Sequence, residues 1–214
     1  MIEITKDIER ALKKYPTLQY VQGTGKPFIA GSFIAQSKVD NIDIETYEIK
    51  MTIPPNYPNA FPRVWETGGK IMPRNATRHI YTDGSLCLGN MIDEARACRN
   101  GITLTWFLDE ILNVHLCREF VREETGKYPT GERSHDAEGV WESYYEILGT
   151  TDKLKIFNEL ELVLSHHHIE RNSSCYCNSG KKYKICHSRI EPKLLDVGRE
   201  KLKQIYDYLK ANTQ

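Results

Sequence analysis

The sequence predicts an α+β fold, an antiparallel meander flanked by helices, followed by a small helical appendage built around a cysteine–histidine cluster. Three observations carry this expectation. An amphipathic helical pattern over residues 5–15 is followed by three strand-like runs separated by turn formers. A proline-rich segment and a cysteine bracketed by glycines then precede a second amphipathic helix over about residues 103–122. Finally, residues 175–187 hold three cysteines and a histidine at metal-ligand spacing.

The 214 residues suffice for one ordinary domain and an appendage. Hydrophobic residues make up 40%, aromatic residues 10% and charged residues 27%, as in a packed globular protein. Lysine plus arginine equal aspartate plus glutamate at 29 each, so net charge supplies no drive toward nucleic acid or anionic membranes. No apolar run is long enough to span a bilayer. The start, Met1-Ile2-Glu3-Ile4-Thr5-Lys6-Asp7, lacks the basic and apolar regions of a signal peptide. Six cysteines without a secretion signal point to thiols or metal ligands in a reducing compartment, so a cytoplasmic location is expected. There is no P-loop and no Gly-x-Gly-x-x-Gly fingerprint after a strand. The chain is therefore not expected to activate a carboxylate with a nucleotide by itself.

In chain order, Thr5 is a plausible N-cap for the first helix, Ile8, Ala11, Leu12 and Tyr15 share one face, and Pro16 closes it. Strand-like runs follow at residues 18–22, 27–36 and 44–53, joined by Gly23-Thr24-Gly25 and by residues 38–43. The last run sets Ile44, Thr46, Glu48 and Lys50 against Glu45, Tyr47, Ile49, Met51 and Ile53. Residues 54–64 then carry four prolines in nine positions, which cannot continue a central sheet because each lacks an N–H and fixes φ. They form a stiff extended connection.

In Thr82-Asp83-Gly84-Ser85-Leu86-Cys87-Leu88-Gly89, an Asp-Gly turn precedes the cysteine and a glycine follows it. Cys87 thus lies on a short apolar segment pinned at both ends, a fixed thiol suited to thioester chemistry. The competing reading is a small buried hydrophobe.

Pro54, Tyr57, Pro58 and Pro62 match a Pro-x-x-Tyr-Pro-x-x-x-Pro loop, and Gly84, Leu86, Cys87 and Leu88 match a Gly-x-[Ile/Leu]-Cys-Leu stretch. Both, in this order behind a helix and a meander, resemble the ubiquitin-conjugating enzyme (UBC) fold over roughly residues 1–148. The resemblance implies a four-stranded antiparallel meander and a catalytic Cys87 that accepts an acyl group as a thioester and passes it to an amine. The His-Pro-Asn triplet of the eukaryotic members is absent; eight residues before Cys87 stands His79, as in bacterial relatives. Residues 90–101 read as a polar loop without the family's Trp-Ser-Pro approach to the next helix. Bacterial proteins of this appearance belong to cyclic-oligonucleotide (CBASS-type) antiphage defence operons. In those systems the C-terminus of a cGAS-like nucleotidyltransferase is joined to a target, with or without a separate activating enzyme.

Thioester exchange needs a thiolate but no strong base, because the leaving group is itself a thiol. A cysteine protease would keep a histidine base on the sulfur, and His79, His115 and His135 lack a signature context for that. Attack by an amine develops an oxyanion, and a donor aimed at it contributes about 3 kcal/mol. His79 is the first candidate for that donor, with Asn75 and Asn90 behind it; an ordinary surface or capping residue is the competing reading for His79. Cys117, within the long helix, reads as packing. Cys98 lies between Arg96 and Arg99, which can lower a thiol pKa, making it a second candidate reactive site.

Helical stretches at residues 134–148 and 152–164 flank Gly149-Thr150-Thr151, which sets the expected boundary between residues 1–148 and an appendage at 149–214. Cys175 and Cys177 form one ligand pair, Cys186 and His187 a second; three thiolates and one imidazole complete a closed tetrahedral site for structural Zn²⁺. Ser179-Gly180 supplies a turn whose amides can face the sulfurs, with Lys181, Lys182 and Lys184 offsetting the net negative charge. So short a loop would draw its folding energy from the metal. A redox Cys-x-Cys is the competing reading. The spacing, with Ser-Gly-Lys-Lys-x-Lys inside, resembles the SEC-C motif, an adaptor at the C-terminus of SecA and on many bacterial proteins. His166-His167-His168 reads as a polar helix end rather than a second metal site. Residues 192–210 read as one wide amphipathic helix carrying Leu194, Leu195, Val197, Leu202, Ile205, Tyr206 and Leu209. A catalytically inactive UBC-fold binding module and a SEC-C zinc adaptor remain alternatives to the enzyme.

Overall fold

The computed structural model describes residues 3–23, 25–129, 134, 136–166 and 169–212. In chain order the main elements are α1 (Ile4–Lys14), β1 (Leu18–Val21), β2 (Phe28–Gln36), β3 (Asp43–Thr52), β4 (Arg63–Glu66), α2 (Met91–Ala97), α3 (Leu104–Trp106), α4 (Asn113–Thr125), α5 (Asp136–Leu148), α6 (Lys153–Ser165), α7 (Glu191–Leu194) and α8 (Arg199–Asn212). The fold is α+β, and it divides into two compact units, Met1–Gly89 with Asn100–Glu132 and Asn90–Arg99 with Arg133–Gln214.

The first unit holds a four-stranded sheet in the order β1-β2-β3-β4, with every neighbouring pair antiparallel. The alternation in β3 is the one expected, with Tyr47, Ile49 and Met51 buried and Glu48 and Lys50 exposed. Ile29, Phe33 and Ala35 of β2 join that inner layer. Gly31 shares their face, where a Cβ would lie 2.1 Å from the Thr17 carbonyl oxygen, so a side chain there would force the strand away. α1 begins one residue before the expected start, and its N-cap position is Glu3, not Thr5. Its buried side is the expected one, with a carboxylate added: Asp7 is 1% exposed.

That carboxylate has a structural task. Asp7 Oδ2 accepts from the Leu104 N–H (2.8 Å) and from the Tyr57 hydroxyl. The Ile102 N–H in turn donates to the Pro58 carbonyl at 3.0 Å. The proline loop is thereby fastened both to α1 and to the start of the long helix, whose orphan N–H groups need acceptors. α3 and α4 continue one another through a π-helical turn, Phe107–Leu112. The wider turn makes steps of four keep one face, so Leu104, Leu108, Leu112 and Leu116 are all fully buried. Ile111 and Phe120 are only half-buried. Asn113 closes the edge of β2 by exchanging both side-chain hydrogen bonds with the Gln36 backbone (2.8 and 2.9 Å).

The second unit packs α2, α5, α6 and α8 around an apolar cluster that includes Ile92, Trp141, Tyr144, Leu160, Leu202 and Ile205. The units do not part at the expected 148/149 junction. Ile92 and Ala95, read as loop, lie on helix α2 and bury with the side chains of α5, so residues 90–99 and α5 share a core with the C-terminal half. The expected single tail helix is broken. α7 passes through a 3₁₀ turn (Leu195–Val197) to Gly198 at φ +83°, a left-handed conformation that stops a helix, before α8 begins. Leu194, Val197, Leu202, Ile205, Tyr206 and Leu209 are nonetheless buried. Among the described residues no helix is long and apolar enough to cross a membrane.

Asp7 is predicted to be a keystone of the first unit. Tyr57→Phe removes one donor and should cost about 1 kcal/mol, whereas Asp7→Ala removes the acceptor of both the Leu104 N–H and the Tyr57 hydroxyl and should cost about 2–4 kcal/mol. Urea unfolding of the full chain measures both, and equal, negligible effects would contradict this role.

Candidate functional site

The Cys87 segment lies outside the sheet and is held by a few backbone bonds. The Leu86 N–H donates to the Val64 carbonyl of β4 at 2.7 Å, and the Cys87 N–H to the His79 carbonyl at 2.6 Å. Ile80 and Leu86 form an isolated antiparallel bridge. The turn before the cysteine is an Asx turn: Asp83 Oδ1 accepts from the Ser85 N–H (3.0 Å) and the Ser85 hydroxyl (2.6 Å). These bonds, above all that from the Ser85 hydroxyl, hold the Asp83 carboxyl below the usual range. The Asp83 carbonyl also accepts from the Trp65 indole N–H at 3.1 Å. Gly84 at φ +82° and Gly89 at φ +154° supply backbone conformations that other residues resist. Between these anchors Leu86 is buried, whereas Cys87 is half-buried, with Sγ 3.9 Å from the Gly89 carbonyl oxygen.

His79 is brought to Cys87 through its own backbone. It sits at φ +49°, and its carbonyl receives the cysteine N–H. Its ring packs on Tyr128 (centroids 5.2 Å apart) and meets His115 edge-on (6.3 Å). The segment before it is clamped to α4. Arg78, 5% exposed, reaches Glu119 (3.0 Å), Glu123 (2.7 Å) and the Met72 carbonyl. Glu119 also accepts from the Tyr128 hydroxyl, and Arg122 donates to the Thr77 carbonyl. Burial raises the Glu119 carboxyl above its ordinary range despite these donors. His115 is pushed down to about 3 by burial, with the neighbouring His79 and Arg118 adding to the effect, and its Nε2 is buried without a hydrogen-bond partner. It is a neutral imidazole at pH 7.

The other candidates fall as follows. Asn90 is committed elsewhere: its side-chain oxygen caps α2 through Ile92 and Asp93, and its amide donates to Ser143 (2.8 Å) and Gly139. Asn75 accepts from the Thr77 hydroxyl at 2.8 Å. Cys98 is 1% exposed at the C-terminus of α2, and burial raises its thiol to about 12, with Glu94 adding to the effect. The expected arginine-lowered thiol is thus overturned by burial. Cys117 is half-buried rather than in the core, 3.4 Å from the Gln36 carbonyl, and burial raises its pKa. His135 lies outside the described residues.

In the second unit Cys175, Cys177, Cys186 and His187 come together, with one ligand atom from each and all four within 4.8 Å of one another. His187 Nδ1 is 3.2 Å from both Cys175 Sγ and Cys186 Sγ, and Cys177 Sγ is 3.5 Å from Cys186 Sγ. Tetrahedral zinc with thiolate and imidazole ligands needs donor atoms roughly 3.5–3.8 Å apart. The donor set fits a metal ion, and its backbone explains why. An isolated bridge joins Ser174 to Lys182, the Cys175 N–H donates to the Lys181 carbonyl (2.9 Å), and Asn178 and Gly180 take positive φ in the turn. The Ser179 hydroxyl lies 3.2 Å from Cys177 Sγ and 3.4 Å from Cys186 Sγ. It pulls the Cys177 thiol down to about 6, with the Ser179 amide adding to the effect, while burial raises Cys175. His187 Nε2 meets Glu159 Oε2 of α6 at 2.6 Å. That partner is 28 residues away and had no signal in the sequence. His166 ends α6 as expected, its Nδ1 3.0 Å from the Leu162 carbonyl, while His167 and His168 lie outside the described residues.

Residues 171–189 match the SEC-C motif. No curated protein and no solved structure matches the chain.

The depressed pKa of His115 predicts a pH signature. The unfolded imidazole titrates near 6.5 and the folded one at about 3, so the unfolded chain binds more protons between those values. Stability is full above pH 6.5 and falls as pH drops below it, by at most about 1.4 kcal/mol per unit. The raised carboxyl of Glu119 acts in the opposite sense, and subtraction of a His115→Gln variant isolates the histidine. Thermal unfolding of that variant should decline less steeply between pH 7 and 5 than wild type; parallel curves would contradict a buried neutral His115.

Proposed function

We propose that this protein is a ubiquitin-conjugating-like acyl transferase that carries a protein C-terminus as a thioester on Cys87. The observation that supports this best is the half-buried Cys87 held by its own N–H on the His79 carbonyl, in a loop tied to β4. The sequential four-stranded meander and the Tyr57-Pro58 loop ahead of it are the elements that a UBC fold requires. In the first step the Cys87 thiolate attacks the donor's thioester carbonyl, a new C–S bond forms, and the donor thiolate leaves. In the second an amine attacks, the carbonyl oxygen becomes an oxyanion, the C–S bond to Cys87 breaks, and the amine proton passes to solvent. His79 is the proposed oxyanion donor, its ring steadied by Tyr128 and His115. A rigid loop suits this chemistry because it fixes the sulfur without burying it.

The chain lacks a nucleotide-binding motif, so the acyl group comes from a separate activating enzyme or an already activated donor. The donor we propose is the C-terminus of a cGAS-like nucleotidyltransferase in a bacterial antiphage operon, in the cytoplasm. Zn²⁺ held by Cys175, Cys177, Cys186 and His187 is structural in this reading, since four protein donors leave no open position. The SEC-C match favours a second reading, an adaptor whose knuckle docks a partner and whose UBC-like unit only presents a surface; Lys181, Lys182, Lys184 and Ile185 are exposed on it.

Intact mass spectrometry of the protein mixed with its operon-neighbour proteins tests the enzyme reading. A covalent adduct should form on wild type, be released by thiol reagents, and be absent from Cys87→Ala, its mass identifying the donor. Absence of any adduct on folded, zinc-loaded protein with all neighbours present would favour the adaptor.

A further inference from the structure

We propose that Glu159 is a positioning residue of the metal centre, fixing the tautomer of His187 and tying metal loading to helix α6. This rests on the reading of the cluster as a metal site. An imidazole can ligate a metal through one nitrogen only when the proton resides on the other. In His187 the two nitrogens face different chemistry: Nδ1 lies 3.2 Å from two ligand sulfurs, and Nε2 lies 2.6 Å from Glu159 Oε2. The carboxylate accepts the Nε2 proton, which leaves the Nδ1 lone pair for the metal. The pair is shielded, with side-chain exposures of 5% for His187 and 19% for Glu159.

Glu159 lies outside residues 171–189 that carry the SEC-C match, so the motif does not supply it. α6 provides it from a helix whose Ile156, Leu160 and Val163 are buried in the apolar cluster of the second unit. A second tie runs parallel. Tyr176, between two of the ligand cysteines, packs on the His187 ring (4.8 Å) and stacks on His166 at the end of α6 (4.8 Å, 15°). The imidazole is thereby attached to α6 by a hydrogen bond and an aromatic stack, and metal binding stabilises this helix and the core it packs in.

The test compares full-length wild type, Glu159→Gln and Glu159→Ala at one fixed pH. Zn²⁺ affinity is read by competition with a chromophoric chelator, Co²⁺ absorption reports the ligand field, and unfolding is followed with and without Zn²⁺. Glu159→Ala should bind Zn²⁺ about 10–100-fold more weakly, with Glu159→Gln in between because its amide oxygen still accepts the proton. The zinc-induced rise in Tm should shrink in the same order. Unchanged affinity in both variants, with wild type binding Zn²⁺ through all four ligands, would overturn the role of Glu159 alone. Failure of wild type to take up Zn²⁺, or wild-type affinity in Cys175→Ala, would overturn the metal reading and this inference with it. Should Glu159→Ala not fold, Glu159→Gln carries the comparison, since it keeps the size and the acceptor but not the charge.

Discussion

The hydrogen bond from the Cys87 N–H to the His79 carbonyl is the constraint on which the first unit's candidate chemistry depends. A loop beyond the sheet edge has no ladder to hold it, so its position must come from scattered bonds to rigid neighbours. Val64 and the Trp65 indole contribute bonds from β4, and the α4 clamp holds the segment before the loop through Arg78, Glu119 and Arg122. Burying Arg78 and Glu119 carries a desolvation cost, met here by several charge-assisted bonds at once. Removing any one of them would leave a charge underground, which is why the clamp acts as a unit. The return is a half-buried cysteine whose backbone is fixed.

The second unit solves a different problem. The knuckle has few apolar side chains of its own, and its backbone bonds bring its cysteine and histidine side chains together. Four donors already converge, steered by the Ser174–Lys182 bridge, the left-handed turn residues and the Ser179 hydroxyl. Tyr176 and His187 reach back to α6, so the small loop is not hung on a flexible stem. Local donor chemistry and a distant hydrophobic core are joined through one imidazole ring.

Much of this was legible in the residues because the relevant signals are local. The alternation in residues 44–53, the glycines around Cys87 and the close spacing of Cys175, Cys177, Cys186 and His187 each lie within a short window. What the window could not hold was lost. Residues 90–99 read as loop in the sequence, although Asn90 followed by Asp93 and Glu94 is a helix-start signal, because Ile92 and Ala95 alone make a weak stripe. Cys98 looked reactive from its flanking arginines, yet burial, a property of the tertiary fold, sets its pKa. The π turn, the break at Gly198 and the Glu159 partner likewise depend on packing between distant segments.

Peptide-resolved alkylation of the native, zinc-loaded protein tests most directly whether Cys87 is a held but reachable thiol. The geometry predicts that Cys87 is modified at least about tenfold faster than Cys98 and Cys117, both of whose thiols burial holds protonated. Modification of Cys87 no faster than of Cys117 would make it a packing residue and contradict the transferase reading.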